Sequence, residues 1–247
     1  FHPENLRIND IVFSLSERGH YIEVLTGKPN YPKGKYFDGY SWKSSKKEIV
    51  KGIITHRVNI ILRKQGGGIR LFANYISFVF FGFIRLLQLK GQFDKIFIYV
   101  PSPITVGILG IVAAKKFKAK SYLWVHDLWP ESVKVAGGIN SKIILGMIDR
   151  MTRLIYRFSD NLLIQSPFFV KYLKGQKIDL RKVIYYPYYA EDFYKPVVPE
   201  PKTQQKFPDG FNIVFAGNIG VAQSFDTIVS AFEKLKEIKI NLIVLGE

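Results

Sequence analysis

Apolar residues recur along this chain at two periods, and the alternation between those periods is its main architectural signal. Between Leu6 and Arg18, Ile8, Ile11, Val12 and Leu15 fall on one helical face, and Gly19 stops the run. Short β-branched or aromatic runs follow at Tyr21–Thr26, Ile53–Val58, Lys95–Val100, Ser121–His126, Asn161–Gln165 and Val183–Tyr186. Helical patterns lie between several of them, over Leu71–Leu89, Ile104–Phe117, Ser141–Phe158 and Pro167–Lys174. Strands alternating with helices predict an α/β fold, a Rossmann-like parallel sheet with helices on both faces. A helix at Leu6 that leads into a strand normally has a strand before it, so the first strand of the sheet is expected to be missing from this segment.

The periodicity fades over residues 188–210, where Pro196, Pro199, Pro201 and Pro208 mark a linker. Beyond it, strand Asn212–Ala216, turn Gly217-Asn218-Ile219-Gly220, helix Ser224–Glu237 and strand Ile240–Leu245 make one βαβ unit. A lone βαβ unit cannot close a sheet and cover both its faces. The expected plan is therefore an N-terminal Rossmann-like domain over 1–187, a linker over 188–210, and over 211–247 the start of a truncated second Rossmann-like domain.

Composition narrows the function classes. With 47% hydrophobic and 23% charged residues among 247, the chain is neither disordered nor collagen-like. Thirty-six Lys and Arg against 20 Asp and Glu leave a net charge of +16, which favours a polyanionic partner: nucleic acid, an anionic membrane surface or a phosphorylated substrate. The aromatic residues fall mainly within core-like strands and helices rather than on a basic platform, which argues against nucleic acid. There is no cysteine and there are only four histidines, so neither disulfides nor a metal site is expected. Phe1-His2-Pro3-Glu4 lacks the basic-then-apolar pattern of a secretory leader, in keeping with a cytoplasmic setting.

Five segments carry candidate chemistry. In Trp124-Val125-His126-Asp127-Leu128-Trp129-Pro130-Glu131-Ser132 a hydrophobic strand delivers His126 and Asp127 to its carboxyl end, where α/β sheets bind ligands. His126, Asp127 and Glu131 offer hydrogen-bond acceptors and a candidate general base; the competing reading is a polar turn in which Asp127 caps the next segment. Glu4, Asn5 and Arg7 stand just before a helix N-terminus, where anions are favoured, although Asn5 serves equally as a simple N-cap. Arg63-Lys64-Gln65-Gly66-Gly67-Gly68-Ile69-Arg70 joins cations to exposed amides and suits a phosphate, or is a mobile basic loop. Leu71–Leu89 nearly reaches membrane-spanning length, but Asn74, Ser77, Arg85 and Gln88 interrupt it, leaving a buried crossover helix or an interfacial helix with basic flanks. Gly217, Asn218 and Gly220 form a strand-to-helix turn that fits a phosphate, or is simply a tight turn.

In order along the chain, Pro-Glu-Asn-x-Arg-x-Asn-Asp, Leu-Thr-Gly-Lys-Pro-Asn-Tyr-Pro-Lys-Gly, Pro-Ser-Pro-Ile-Thr-Val-Gly, His-Asp-Leu-Trp-Pro-Glu-Ser and Phe-Ala-Gly-Asn-Ile-Gly-x-Ala-Gln together resemble bacterial family 4 glycosyltransferases of the two-Rossmann (GT-B) architecture. The closest look-alikes transfer N-acetylfucosamine-type sugars in O-antigen and capsule synthesis. The resemblance implies a retaining, metal-free, cofactor-free transfer from a nucleotide sugar, UDP-linked, to a polyprenyl-diphosphate-linked glycan. Beside it, the net charge of +16 and the phenylalanine-rich run with its basic flanks motivate an enzyme peripheral to the inner face of the plasma membrane, with residues 71–89 touching anionic lipid. The resemblance also implies catalytic His126 and Asp127, an acceptor side including Glu4, Asn5, Arg7, Arg63 and Glu131, and a donor diphosphate held by Gly217, Asn218, Gly220 and Gln223. Two departures stand out: Asn218 and Gln223 replace the family's Arg and Lys, and the family's Glu-x7-Glu donor region falls beyond Glu247. On that reading the chain alone is inactive. The alternative is a non-catalytic acceptor-recognition fragment, or half of a split transferase.

Overall fold

The computed structural model describes residues 7–31, 33–64, 67–137, 139–191, 194–198, 207–217, 219–220, 223–235 and 238–246. Contacts group the chain into two compact units, Phe1–Trp129 with Met147–Pro187, and Pro130–Gly146 with Tyr188–Glu247.

The first unit runs α1 (Arg7–Glu17), β1 (Glu23–Gly27), β2 (Lys47–Val50), β3 (Ile53–Val58), α2 (Gly68–Gln88), β4 (Lys95–Val100), α3 (Val106–Phe117) and β5 (Lys120–Val125). After α4 (Glu131–Gly137), which belongs to the second unit, come α5 (Lys142–Phe158), β6 (Asn161–Ile164), α6 (Phe168–Gly175) and β7 (Val183–Tyr185). Strands β4-β5-β6-β7 form a parallel sheet in that order, and β1-β3-β2 form a second ladder in which β1 and β3 are parallel. Side chains alternate across a strand, and this sorts the helices. Helix α1 packs Ile8, Val12 and Phe13 with Val24, Ile53 and Tyr99. Helix α2 reaches His56 on the opposite face, and α3 brings Gly110 against Ile98, the neighbour of Tyr99. Helices thus cover both faces, as the alternating pattern predicted.

The sheet is not wholly parallel. Strand β2 is antiparallel to β3 through a two-residue turn, Lys51-Gly52, with both φ angles positive (47° and 82°). That is the turn geometry that suits a tight hairpin. Its four residues alternate exposed and half-buried, and Lys47 and Glu48 supply the charges that guard a sheet edge. So short and charged a strand carries almost no hydrophobic signal. Helix α4 was likewise not foreseen from the pattern.

Three lysines act as internal caps. Lys28, fully buried, donates to the carbonyls of Ser41 (2.7 Å), Trp42 (3.0 Å) and Ser44 (3.0 Å). Lys116 closes the end of α2 on Leu86, Leu87 and Leu89 at 2.6, 2.8 and 2.7 Å. Lys182 does the same for α5 on Tyr156, Arg157 and Ser159. A helix end leaves carbonyls without partners and carries partial negative charge, so an ammonium there satisfies both. Part of the net positive charge is therefore spent inside the fold.

The second unit contains β8 (Phe211–Ala216), α7 (Phe225–Glu233) and β9 (Ile240–Leu245). Strands β8 and β9 are parallel in register from Phe211 with Ile240 to Ala216 with Leu245, and Phe225 of α7 meets Phe215 edge-on at 4.9 Å.

Candidate functional site at the carboxyl edge of the parallel sheet

The carboxyl half of strand β5 is buried throughout. Trp124 and Leu123 are fully buried, and the parallel register sets Tyr99 of β4 beside Trp124 and Leu163 of β6 on its other side. His126 follows one residue past the strand on the same face as Trp124. Its ring lies 4.4 Å from the Trp124 ring and 4.7 Å, edge-on, from Tyr99. Tyr186, just past β7, meets Trp124 at 5.2 Å. This aromatic wall leaves His126 only 9% exposed. From β6, Gln165 donates its amide to the His126 carbonyl at 2.6 Å, tying the ends of two strands together.

The site's electrostatics follow from that packing. Burial, with the nearby Arg7 guanidinium adding to it, pushes the His126 pKa down to about 4. The imidazole is therefore neutral at physiological pH, a donor at one nitrogen and an acceptor at the other. Arg7, the first residue of α1, also opposes the rise that burial imposes on Tyr99. Partial desolvation raises the Asp127 carboxyl above its ordinary range. Two candidates from separate sequence motifs, Arg7 and His126, are thus brought together.

This predicts a pH signature. In the unfolded chain the histidine titrates near its ordinary 6.5, so between pH 6.5 and about 4 the unfolded state holds a proton that the folded state does not. The associated stability is fully present above pH 6.5 and is lost as pH falls through about 4. A shift of that size is worth about 3 kcal/mol. Urea midpoints should decline over this window, and His126→Gln should flatten the decline; an equally steep fall in the variant would contradict it.

The other expected site residues are distributed as follows. Glu4, Asn5 and Asn218 lie outside the described residues. Arg63 is exposed between β3 and α2, and no described contact joins it to His126. Glu131 opens α4 in the second unit, where its carboxylate complements the positive end of that helix. In the second unit the Gly217 amide bonds the Leu245 carbonyl at 2.9 Å. The Gln223 side-chain oxygen accepts from the Gly220 amide at 3.1 Å, so this loop partly satisfies itself. Asp226 already occupies the first turn of α7. Gln165 and Tyr99 were not singled out from the sequence; the position of each at the end of a predicted strand was the available signal. Among the described residues, no group of three His, Cys, Asp or Glu side chains is placed to hold a metal ion.

No family model matches the chain. It is 22% identical over 250 residues to the putative colanic acid biosynthesis glycosyl transferase WcaI of Escherichia coli K12, an alignment covering 96% of this chain and 60% of that protein. Among solved structures it is similar to Arabidopsis thaliana UGT89C1 complexed with UDP-L-rhamnose, with a TM-score of 0.51 and 14% identity over 96% of this chain and 60% of that one. The same enzyme complexed with quercetin gives a TM-score of 0.51 and 15% identity over 97% and 65%. The chain thus spans about 60% of the length of the curated relative it matches. The likeness drawn from the motifs is borne out at this level: the chain has the fold of the GT-B glycosyltransferases.

Proposed function

We propose that this chain is part of a glycosyltransferase of bacterial surface-polysaccharide synthesis, which moves a sugar from a nucleotide donor to a lipid-linked glycan. The observation that carries the reading is the burial of His126 at the carboxyl edge of the parallel sheet, with its carbonyl held by Gln165 and its ring within reach of the Arg7 charge, where open α/β folds bind ligands. The similarity to a putative colanic acid glycosyl transferase supports the same reaction class.

In this reading residues 1–187 receive the acceptor, 188–210 link, and 211 onward begin the donor lobe. The reaction is retaining: the bond from the anomeric carbon to the UDP phosphate breaks, the bond to the acceptor oxygen forms on the same face, and the hydroxyl proton passes to the departing phosphate. A base with a pKa of about 4 draws a hydroxyl proton weakly at neutral pH. The role of His126 is therefore to hold sugar hydroxyls by hydrogen bonds, with Asp127 beside it, while Arg7 supplies fixed positive charge on the acceptor side. We assign Glu4, Asn5, Arg63 and Glu131 to acceptor recognition, and Gly217, Asn218, Gly220 and Gln223 to the donor diphosphate, which has to displace the present partners of the Gly217 and Gly220 amides, Leu245 and Gln223. A polyprenyl-diphosphate-linked acceptor, O-antigen or capsule in type, puts the enzyme on the inner face of the plasma membrane.

The test uses the full protein containing this chain, a panel of UDP-sugars and a polyprenyl-diphosphate-linked acceptor. Transfer should proceed in EDTA, with NMR showing unchanged anomeric configuration. Failure with every nucleotide sugar overturns the reading, and an inverted product overturns its stereochemistry.

A further inference from the structure

The loops that leave the carboxyl ends of β1 and β3 close on one another. The Lys64 amide donates to the Gly34 carbonyl at 3.0 Å. Gly34 has a φ of +64°, and a Cβ there would stand 2.6 Å from the Lys64 carbonyl oxygen, so only glycine allows so close an approach. Beside this crossing opens a cleft of about 400 Å³, lined by Tyr36, Trp42, residues 60–62, Lys64 and Arg70. That volume lies within the roughly 300–1,000 Å³ of small-molecule sites. Its place also fits a ligand, since open α/β sheets bind theirs beyond the carboxyl ends of strands. None of the residues around His126 lines it, so the site at β5 leaves this cleft without a role.

The parts of the cleft are held in place before any ligand arrives. Tyr36 donates its hydroxyl to the Ile60 carbonyl at 3.1 Å. Trp42, 48% exposed, is fixed at its carbonyl by the Lys28 ammonium (3.0 Å) and at its ring by Phe81, edge-on at 5.4 Å. The Ile61 amide and carbonyl are taken by Ser77 at 2.8 Å and Asn74 at 2.6 Å. With those groups occupied, the cleft offers apolar and aromatic surface and two cations. Lys64 and Arg70 are both exposed, and among the described residues neither forms an ion pair. No acidic residue lies between Ile49 and Phe93 to compete for them. A matching ligand presents an apolar face and, on the same small unit, a negative group. A sugar ring bearing a carboxylate or phosphate does both: its C–H face packs on aromatic surface, and its anionic oxygens accept charge-assisted hydrogen bonds.

We propose that this cleft is a subsite for an acidic sugar unit of the acceptor glycan, its ring against Trp42 and Tyr36 and its anionic group on Lys64 and Arg70. The inference rests on the glycan-acceptor reading for the source of the ligand, and narrows that acceptor to a negatively charged saccharide. A glycan is longer than its reacting unit, so a second pocket in the same unit of the fold as His126 selects the acceptor by a sugar that takes no part in the chemistry.

Calorimetric titration of the full protein containing this chain, without nucleotide sugar, tests it. The probes are three matched tetrasaccharides: one carrying glucuronic acid, its carboxyl-reduced neutral counterpart, and one carrying glucose 6-phosphate. An acidic glycan should bind at least tenfold more tightly than the neutral one, and the better of the two names the anionic group. Equal affinity for all three overturns the proposal. Lys64→Gln with Arg70→Gln should erase the preference, whereas Lys64→Arg with Arg70→Lys, which keeps both charges, should retain most of it. Lys171→Gln with Lys174→Gln removes equal charge from α6 and should leave the preference intact; equal loss in both glutamine pairs would show diffuse attraction and overturn the cleft. Trp42→Ala should weaken acidic and neutral glycans alike by about tenfold, and unchanged affinity would overturn the placing of the ring. Inorganic diphosphate that displaces the acidic glycan at equal concentration would make the cleft a diphosphate site and overturn the sugar assignment. The titration needs no donor and no turnover. A protein that transfers sugar without any charge preference loses only the cleft, and one that binds acidic glycans but transfers nothing loses only the transferase reading.

Discussion

His126→Ala in the full protein is expected to lower turnover at least tenfold while the fold persists. The imidazole sits between Tyr99 and Trp124 at the end of β5, and its neutrality makes it a hydrogen-bonding group rather than a charge. An interaction that strengthens toward the transition state is lost mainly in kcat. His126→Gln retains a donor and an acceptor on a side chain of comparable length, and should recover part of the loss. Kinetics of both variants, with circular dichroism as the check on folding, decide the matter. Wild-type turnover in the alanine variant would remove His126 from the reaction, and equal loss in both variants would leave only a packing role.

Lys28→Met should destabilise the protein by roughly 3 kcal/mol, since three charge-assisted bonds from a buried ammonium to partly buried carbonyls go. The Lys28 ammonium gathers Ser41, Trp42 and Ser44 onto the end of β1. Burial, and after it the nearby Lys46 charge, lower its pKa, while the three carbonyl contacts favour the ammonium form. Among its described residues the loop from Pro29 to Lys46 carries no helix or strand, and this cation anchors it together with the Tyr36 hydroxyl on the Ile60 carbonyl. Trp42 packs edge-on against Phe81 of α2, so its fluorescence should report local release. A loss below about 1 kcal/mol by urea unfolding would mean that water replaces the ammonium without penalty.

Legibility from sequence divides by the range of the interaction involved. Strands β3, β4 and β9 match their predicted bounds because a run such as Lys95–Val100 declares itself locally. Helix α1 begins within a residue of its predicted start for the same reason. Strand β2 was invisible because its stability comes from pairing with β3 through an edge of charged residues. In α2 the composition was read, but its orientation was not: periodicity marked apolar residues on more than one face, and only the partners of Asn74, Ser77 and Arg85 identify which face is inside.

The candidate site shows the same division. His126 was legible because a hydrophobic strand followed by a polar pair ends where ligands bind. Gln165 was not, because an amide after a buried run has no chemistry of its own until it meets the His126 carbonyl. Gln223 is expected at a diphosphate, and its side-chain oxygen accepts from the Gly220 amide, a short-range bond that a phosphate has to compete with.

By itself, then, the sequence determined the order of the strands and helices apart from β2 and α4, the α/β class and the place of the His-Asp pair, because periods of two and 3.6 residues and the run-out of a buried strand are local properties. Tertiary structure alone decided that Arg7 lies beside His126, that the histidine is uncharged, and that α2 turns its apolar side outward. Each of these depends on burial and on groups distant in the chain, and desolvation and charge proximity do not exist until the sheet has assembled.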